Sequence, residues 1–226
     1  MVRYTEIKEG VDVCTEQAGR SLGEVKLIAV SKTVGIDAVR QAIEQGATDF
    51  GENRPEMLAE KATAFPEATW HFIGNIQSRQ IGTIVHHAAL IHSVYQLSHA
   101  RKIDACARRE GKIQNILIEV NVSGETSKSG CAPSEARALV TECASLANVR
   151  VCGLMTMAPQ GNEAQICRTF DGLARLAAEI RGGLPQLQQE SFCELSMGMS
   201  EDWQYAIPRG ATMIRIGRAI FSDSFI

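Results

Sequence analysis

The sequence has no long apolar segment, no basic excess and no paired cysteine motif, and each absence removes a class of function. No run of about 20 apolar residues is present, and the charged N-terminal segment MVRYTEIKEG does not have the apolar centre of a signal peptide. The net charge of −3 gives no electrostatic basis for binding nucleic acid. We therefore expect a cytoplasmic protein that binds neither nucleic acid nor membrane.

Cysteine and histidine are present, but without the spacings that metal sites use. The 7 cysteines form no CxxC pair, and their odd number argues against a disulfide framework. The 5 histidines show no HExxH or similar spacing. We expect no metal site, and we expect most cysteines to be small core residues in a reducing compartment. We also expect His71, which falls within a predicted strand, to be a packed side chain.

Eight short apolar, β-branched segments alternate with helical patterns along the 226 residues. Between them, apolar residues recur at spacings of three and four, as in Ile36, Val39 and Ile43, which is typical of amphipathic helices. Such alternation favours a single-domain α/β fold, a (βα)8 TIM barrel spanning residues 1–226, over an open doubly wound sheet. The predicted strands are residues 25–32, 47–53, 69–74, 89–94, 114–122, 149–156, 192–198 and 212–221.

The two ends of the chain extend this pattern. Residues 1–22 are predicted to hold an extra N-terminal helix that covers the gap or the floor of the barrel. After the eighth predicted strand only SDSFI remains, which is too short for an eighth helix. A single domain without a heptad pattern or an apolar tail favours a monomer.

Polar and glycine residues gather where the predicted strands end, which in a barrel of this kind is the chemical face. Lys32 closes the first strand. A partly desolvated lysine has a lowered pKa and reacts as an amine with a carbonyl group, although a lysine at a rim can also keep its charge in water. The other residues at this rim are Asn53, Gly74, Asn75, Asn121, Met155, Thr156, the segment 196–200, Arg215 and Gly217.

The ends of the last two strands carry features of a phosphate site. Ser200, followed by two acidic residues, predicts the N-cap of a short helix over residues 201–207. Gly217 leaves room for backbone N–H groups to approach a ligand. A cap or a turn alone explains either feature, but their occurrence on adjacent strands favours phosphate, which barrels often hold at this point.

Arg215 lies two residues before Gly217 and suits either a salt bridge in the barrel or a ligand contact. If a pyridine ring lay between Lys32 and the phosphate loops, Arg215 would donate to the ring nitrogen. Because a guanidinium group keeps its proton, that nitrogen would stay unprotonated, and the ring would withdraw electrons poorly. Carbanion chemistry would then be suppressed.

Seven segments, in order from residue 29 to residue 221, match those of one known family. With them the chain resembles the pyridoxal phosphate homeostasis protein family, also called the proline synthetase co-transcribed family, whose fold is similar to the N-terminal barrel domain of alanine racemase. The match departs from the family at Arg54, at IQSRQ and at Ser222, which bears on surface contacts. The matching segments are AVSKT, DFGEN, WHFIGNIQS, VNVSGETSKSG, GLMTMAP, ELSMGMSEDW and MIRIGRAIF.

The resemblance implies a cofactor and the residues that hold it. Pyridoxal 5'-phosphate (PLP) would form an internal aldimine on Lys32, its phosphate would lie on Ser200 and the backbone of Gly217 and Arg218, and Arg215 would face the pyridine nitrogen. The loop GETSKSG would lie at the rim, with Lys128 as a second amine. The remaining pocket residues implied are Asn53, Met155, Ser196 and Met199.

The resemblance also implies a function, and two enzyme classes stand beside it. A homeostasis protein would buffer intracellular PLP without catalysis, supply PLP-requiring apoenzymes and influence amino-acid and keto-acid balance. A PLP-dependent racemase would need an acid or base on each face of the imine, and no motif recommends Tyr4, Tyr95 or Tyr205 for that role. A Schiff-base aldolase would need Lys32 for a keto substrate, so it requires that no PLP be bound there.

Overall fold

The alternation of apolar segments with amphipathic helices produces a closed barrel of eight parallel strands ringed by helices. The computed structural model describes residues 2–223. The strands are β1 Lys26–Val30, β2 Asp49–Glu52, β3 Thr69–Phe72, β4 Leu90–Val94, β5 Gln114–Glu119, β6 Val149–Met155, β7 Glu194–Ser196 and β8 Met213–Ile216. The predicted (βα)8 barrel is therefore confirmed.

Helices cover the outside of the barrel. The predicted N-terminal helix is confirmed as α1, although it is shorter than the predicted segment. The helices are α1 Tyr4–Gln17, α2 Ile36–Glu44, α3 Pro55–Ala64, α4 Ile81–His87, α5 Leu97–Arg109, α6 Pro133–Ala144, α7 Glu163–Gly182, α8 Gln186–Ser191, α9 Trp203–Ala206 and α10 Arg218–Phe221, with a 3-10 helix, Ile207–Arg209, between α9 and β8.

The strands alternate their side chains between two apolar layers. Leu27 and Ala29 of β1 point outward into the main core between sheet and helices, whereas Ile28 belongs to a separate cluster inside the barrel. This period of two is what a strand backbone imposes. The inner cluster contains Ile28, Leu90, Leu117, Met155 and Met213.

The eighth strand is shorter than predicted, because the chain turns into a helix at Gly217. The N–H groups of Ile220 and Phe221 donate to Gly217 O at 3.0 and 2.9 Å, which starts α10. The expectation that no helix follows the last strand is therefore wrong. Ala219 and Ile220 are buried and would be apolar in either conformation, so their apolarity could not separate strand from helix. Residues 224–226 of the segment SDSFI lie outside the described residues.

The cysteines are less uniformly buried than expected. Cys106, Cys131 and Cys143 are buried, Cys193 is exposed, and the remaining three are half-buried, so the expectation that most are core residues is too broad. Across residues 2–223 no group of His, Cys, Asp and Glu side chains is arranged to hold a metal ion. Over the same residues, no helix combines the length and apolarity that crossing a membrane requires.

A bulge in β6 decides which of its side chains face the barrel interior. Ile116 of β5 pairs with Val151, but the next residue, Leu117, pairs with Gly153, so Cys152 is an extra residue. Beyond the bulge, Leu154 lies in the outer core and Met155 in the inner cluster. Without the extra residue Met155 would face the helices, because a one-residue shift reverses every later side chain.

We expect Gly153→Ala to destabilise the barrel at this bulge. Gly153 has φ of 153°, a conformation almost confined to glycine, and a Cβ there would lie 1.9 Å from Glu194 O of the neighbouring strand. Strain of this kind costs about 1–3 kcal/mol, and the contact adds to it. Urea titration should therefore show a lower free energy of unfolding.

The matched control is Gly82→Ala in α4, where an added Cβ meets nothing within 4 Å. That change should raise the free energy of unfolding by roughly 0.5–1 kcal/mol, because alanine favours the helix. Equal effects of the two substitutions would contradict the account of the bulge.

Candidate functional site

A cleft of about 800 Å³ opens at the rim where the carboxyl ends of the strands meet. It brings together eight of the nine residues that the sequence analysis assigns to the site. Ser196, the ninth, does not line the cleft, because it is fully buried and hydrogen-bonded to Arg215. The eight residues that line the cleft are Lys32, Asn53, Met155, Met199, Ser200, Arg215, Gly217 and Arg218.

Lys32 lies two residues beyond the end of β1, with an exposed side chain that lines the cleft. The backbone just before it is held firmly. Ser31 is buried, its N–H donates to Gly51 O at 3.1 Å, and its carbonyl oxygen accepts from the Lys61 amine at 2.8 Å. The Lys32 side chain is therefore exposed at the cleft, while hydrogen bonds hold the backbone just before it.

The contact that holds Ser31 belongs to a buried ion pair, Glu52 with Lys61. Both side chains are fully buried, and Lys61 Nζ lies 2.5 Å from Glu52 Oε1, which also accepts from the Ser31 hydroxyl at 2.6 Å. Burying two charges costs several kcal/mol per ion and is tolerated only with good pairing. This pair could not be predicted from the sequence, because Lys61 lies in α3 and nothing local shows that it points inward.

Arg215 of β8 is a buried cation aimed at the cleft, with two of its nitrogen atoms already engaged. Nη1 donates to Ser196 Oγ at 2.5 Å, and Nη2 donates to Thr156 O at 3.0 Å. Burial lowers the pKa of Arg215 to about 10, although the charges of Asp202 and Glu119 oppose that shift. The guanidinium group therefore remains protonated at neutral pH and can only donate hydrogen bonds.

Glu119, at the end of β5, is an acidic group in the cleft that the sequence analysis did not select. It is 3% exposed, and burial raises its pKa to about 7, against the opposing effect of Arg215. A carboxyl group of this kind changes charge near neutral pH. A signal was available, since a single acid interrupts the apolar run NILIEVNV at a predicted strand end.

The predicted phosphate corner is present, but its local structure differs from the prediction. Ser200 is not an N-cap, because α9 begins at Trp203 and its N-cap is Asp202. The N–H of Asp202 donates to Met199 O at 3.1 Å, so residues 199–202 form a turn before the helix. Ser200 instead accepts from the N–H of Ala219 at 3.3 Å, which ties the two loops together.

Gly217 is required by packing as well as by any ligand. A Cβ at this position would lie 3.0 Å from Val30 O of the neighbouring strand β1. Close packing against β1 therefore explains a glycine at this position, independently of the ligand contact inferred from the sequence. Arg218, the next residue, lines the cleft and forms an ion pair at 2.8 Å with Glu201, which lines it too.

The loop GETSKSG lies at the rim, as the resemblance implies. Lys128 lines the cleft, and its amine contacts Glu125 at 2.9 Å and donates to Met157 O at 3.3 Å. The side-chain amide of Asn121 donates to Glu125 O at 2.8 Å and anchors the loop to the end of β5. Lys128 is thus a second amine on the same cleft.

Comparisons with known proteins give the family and the fold of the chain. The alanine racemase N-terminal domain family matches residues 5–224. A pyridoxal phosphate homeostasis protein of Pseudomonas aeruginosa is 41% identical over 209 residues, covering 91% of this chain and 87% of the relative. The crystal structure of an unknown protein from Bifidobacterium adolescentis has a TM-score of 0.90 at 33% identity, covering 96% of this chain and 92% of that one. PipY of Synechococcus elongatus PCC7942, solved with PLP bound, has a TM-score of 0.82 at 32% identity, covering 97% of this chain and 100% of PipY.

We expect Glu119→Gln to change how stability depends on pH. The folded chain holds a proton on Glu119 up to a pKa of about 7, whereas an unfolded glutamate loses it near about 4.3. The folded state therefore binds more protons between these values, and Glu119 lowers stability as pH rises through this window. The difference approaches roughly 4 kcal/mol above the folded pKa.

Urea unfolding of dialysed protein at pH 4.5, 6 and 7.5 measures this effect. Glu119→Gln should gain stability relative to the native chain as pH rises, because glutamine carries no charge. Glu60→Gln, an exposed site in α3, controls for the loss of one carboxylate. Parallel pH curves for Glu119→Gln and the native chain would show that Glu119 is not perturbed.

Proposed function

The chain belongs to the alanine racemase N-terminal domain family and, within it, to the pyridoxal phosphate homeostasis proteins, and we propose that it binds PLP reversibly without catalysing a reaction. In this role it keeps the free aldehyde scarce and supplies PLP-requiring apoenzymes, thereby influencing amino-acid and keto-acid balance. The observation that carries the proposal is the convergence of Lys32, Arg215 and Ser200 on one cleft. We propose that the protein acts as a monomer.

The residues of the cleft suit the chemical groups of PLP. Four cationic side chains and three acidic ones line it, and the excess of cations favours a ligand with a doubly charged phosphate. Ser200 Oγ accepts from the N–H of Ala219, so its hydroxyl hydrogen can be directed to a phosphate oxygen. Met155 and Met199 offer apolar surface to a flat ring. The four cations are Lys32, Lys128, Arg215 and Arg218.

When bound, PLP supplies an aldehyde that condenses with an amine and a ring that can withdraw electrons. We propose that Lys32 provides the amine, so that PLP is held covalently. Arg215 would donate to the ring nitrogen, and a protonated guanidinium group leaves that nitrogen without a proton. Lys32 and Arg215 would therefore hold the ligand and restrain its reactivity.

A racemase of low activity is the second candidate, and Glu119 is the observation that favours it. Proton transfer on both faces of a ligand needs a second acid or base, and Glu119 titrates near neutral pH inside the cleft. By contrast, Tyr4, Tyr95 and Tyr205 are not among the residues that line it. Formation of D-alanine from L-alanine, followed by chiral chromatography, distinguishes the two candidates.

We expect Lys32→Ala to abolish covalent attachment of PLP while leaving the fold intact, because Lys32 is exposed and packs little surface. Absorbance in the visible range should be lost after dialysis. Borohydride reduction of the native protein, followed by peptide mass spectrometry, should locate the adduct on the peptide that contains Lys32.

Lys128→Ala is the matched control, since Lys128 is the other lysine that lines the cleft. It should retain the reduced adduct on Lys32. An adduct that persists in Lys32→Ala, or that appears on Lys128 in the native chain, would contradict the assignment of Lys32.

We expect Ser200→Ala to weaken PLP binding through loss of a hydrogen bond to the phosphate group. A hydrogen bond to a charged group contributes about 1.5–3 kcal/mol, which corresponds to a dissociation constant roughly 10- to 150-fold higher. Equilibrium dialysis measures the constant. Ser129→Ala, at a serine that lines the cleft beside Asn75, is the control and should change it little. An unchanged constant in Ser200→Ala would remove Ser200 from the phosphate site.

A further inference from the structure

A line of buried polar side chains runs through the barrel interior, starting at the cleft and ending near the amino ends of the strands. Ser196 Oγ lies 2.5 Å from Arg215 Nη1 and 2.8 Å from His92 Nδ1. His92 Nε2 lies 2.9 Å from His71 Nδ1, and His71 Nε2 lies 3.0 Å from Asp49 Oδ1. We call these five residues, Arg215, Ser196, His92, His71 and Asp49, the axial chain.

Each charged end of the axial chain can take only one role in a hydrogen bond, either donor or acceptor. Arg215 can only donate. At the other end, burial alone would raise the pKa of Asp49, but hydrogen bonds from His71 and Thr48 and the charge of Lys26 outweigh it and hold that pKa at about 2. Asp49 is therefore a carboxylate that can only accept. Lys26, 3.1 Å from Asp49, is exposed and marks the far end of the line.

The Asp49 end, together with neutral histidine rings, determines the direction of every hydrogen bond in the axial chain. Burial lowers the pKa of both His71 and His92, so each ring is neutral and carries one proton. His71 must donate from Nε2 to Asp49, which leaves its Nδ1 as an acceptor for His92 Nε2–H. His92 Nδ1 then accepts the Ser196 proton, and Ser196 Oγ accepts from Arg215.

The reverse direction is excluded by the same logic. If His92 donated from Nδ1 to Ser196, its Nε2 would need a proton from His71 Nδ1. His71 Nε2 would then face the Asp49 carboxylate without a proton, and two acceptors 3.0 Å apart repel. For two neutral rings, a single tautomer of each histidine is therefore compatible with the geometry, with the proton on Nε2 in both rings.

We propose that the axial chain is a positioning device that holds the Arg215 guanidinium group in its orientation toward the cleft. Ser196 is fully buried, and with its hydrogen committed to His92 it presents an oxygen lone pair to Nη1. Thr156 O fixes Nη2. Two fixed acceptors on separate nitrogen atoms determine the orientation of a planar group. This inference depends on the proposed function only for the identity of the ligand that Arg215 contacts.

The tautomers give a test that does not depend on any ligand. Long-range ¹H–¹⁵N correlation spectra of the ligand-free protein at pH 7 distinguish the two neutral tautomers and the charged ring. We expect His71 and His92 both to carry their proton on Nε2. A proton on Nδ1 of either ring, or a doubly protonated ring, would overturn the axial chain, whether or not the protein binds PLP.

Two substitutions at His92 then test whether this residue orients the Arg215 guanidinium group or only fills space in the barrel interior. Asparagine places its amide near the position of Nδ1 and can still accept from Ser196, whereas glutamine places its amide near Nε2 and reaches only His71. Both remove the ring, so both should lower stability similarly. We expect His92→Gln to raise the dissociation constant of PLP about five- to tenfold and to shift the absorption maximum of the bound form, and His92→Asn to remain close to the native chain.

The comparison is repeated with Arg215→Met, which removes the group that the axial chain holds. The difference between the two His92 variants should then disappear, because neither can act on an absent guanidinium group. Equal effects of asparagine and glutamine in the native background, or a difference that survives Arg215→Met, would overturn positioning. Failure of the native protein to bind PLP would instead refute the proposed function, and the tautomers would still decide the axial chain.

Discussion

The pairing of β8 with β1 is the contact on which the rest of the structure depends, because it closes the sheet. Lys26 to Ala29 of β1 pair in register with Met213 to Ile216 of β8, so residues from the two ends of the sequence become neighbours. Ile28 lies opposite Arg215, and the rim beyond these strands carries Lys32 on one side and Gly217 on the other. Since all eight strands are parallel, their carboxyl ends can meet only at this rim, which is where the cleft opens.

Two buried polar systems lead to the two groups that we propose contact the ligand, the backbone beside Lys32 and the side chain of Arg215. The Glu52–Lys61 pair fixes the carbonyl group just before Lys32, and the axial chain reaches Arg215 from within the barrel. Buried charges and polar chains are weak evidence for stability, since apolar residues of similar volume often serve as well. Their arrangement here makes sense as a constraint on geometry: each system ends on a group that lines the cleft or on the backbone beside one.

Under the proposed function, the charges of the cleft hold an anionic ligand and limit its chemistry. Arg215 stays protonated in spite of burial, because Asp202 and Glu119 lie close enough to oppose the effect of desolvation. A ring nitrogen that faces this group would accept a hydrogen bond but gain no proton. The ligand would then be bound without becoming a strong electron acceptor. Among the described residues of the cleft, Glu119 is the acidic group whose pKa is raised to about 7. The net charge of the cleft therefore changes as pH passes through neutrality.

The sequence by itself determined the fold class and most of the rim. Periods of two and of three to four residues are local, so strands, helices and the residues that end each strand, such as Lys32 and Arg215, can be identified without knowing what lies beside them. Only the tertiary structure decided that Ser200 binds the N–H of Ala219 instead of capping a helix, that Ser196 lies beneath the cleft, and that His71 and His92 join Asp49 to Arg215. Each of these facts depends on side chains from different strands or loops meeting in space. No local pattern records such meetings, because partners far apart in sequence are selected by the closure and register of the barrel.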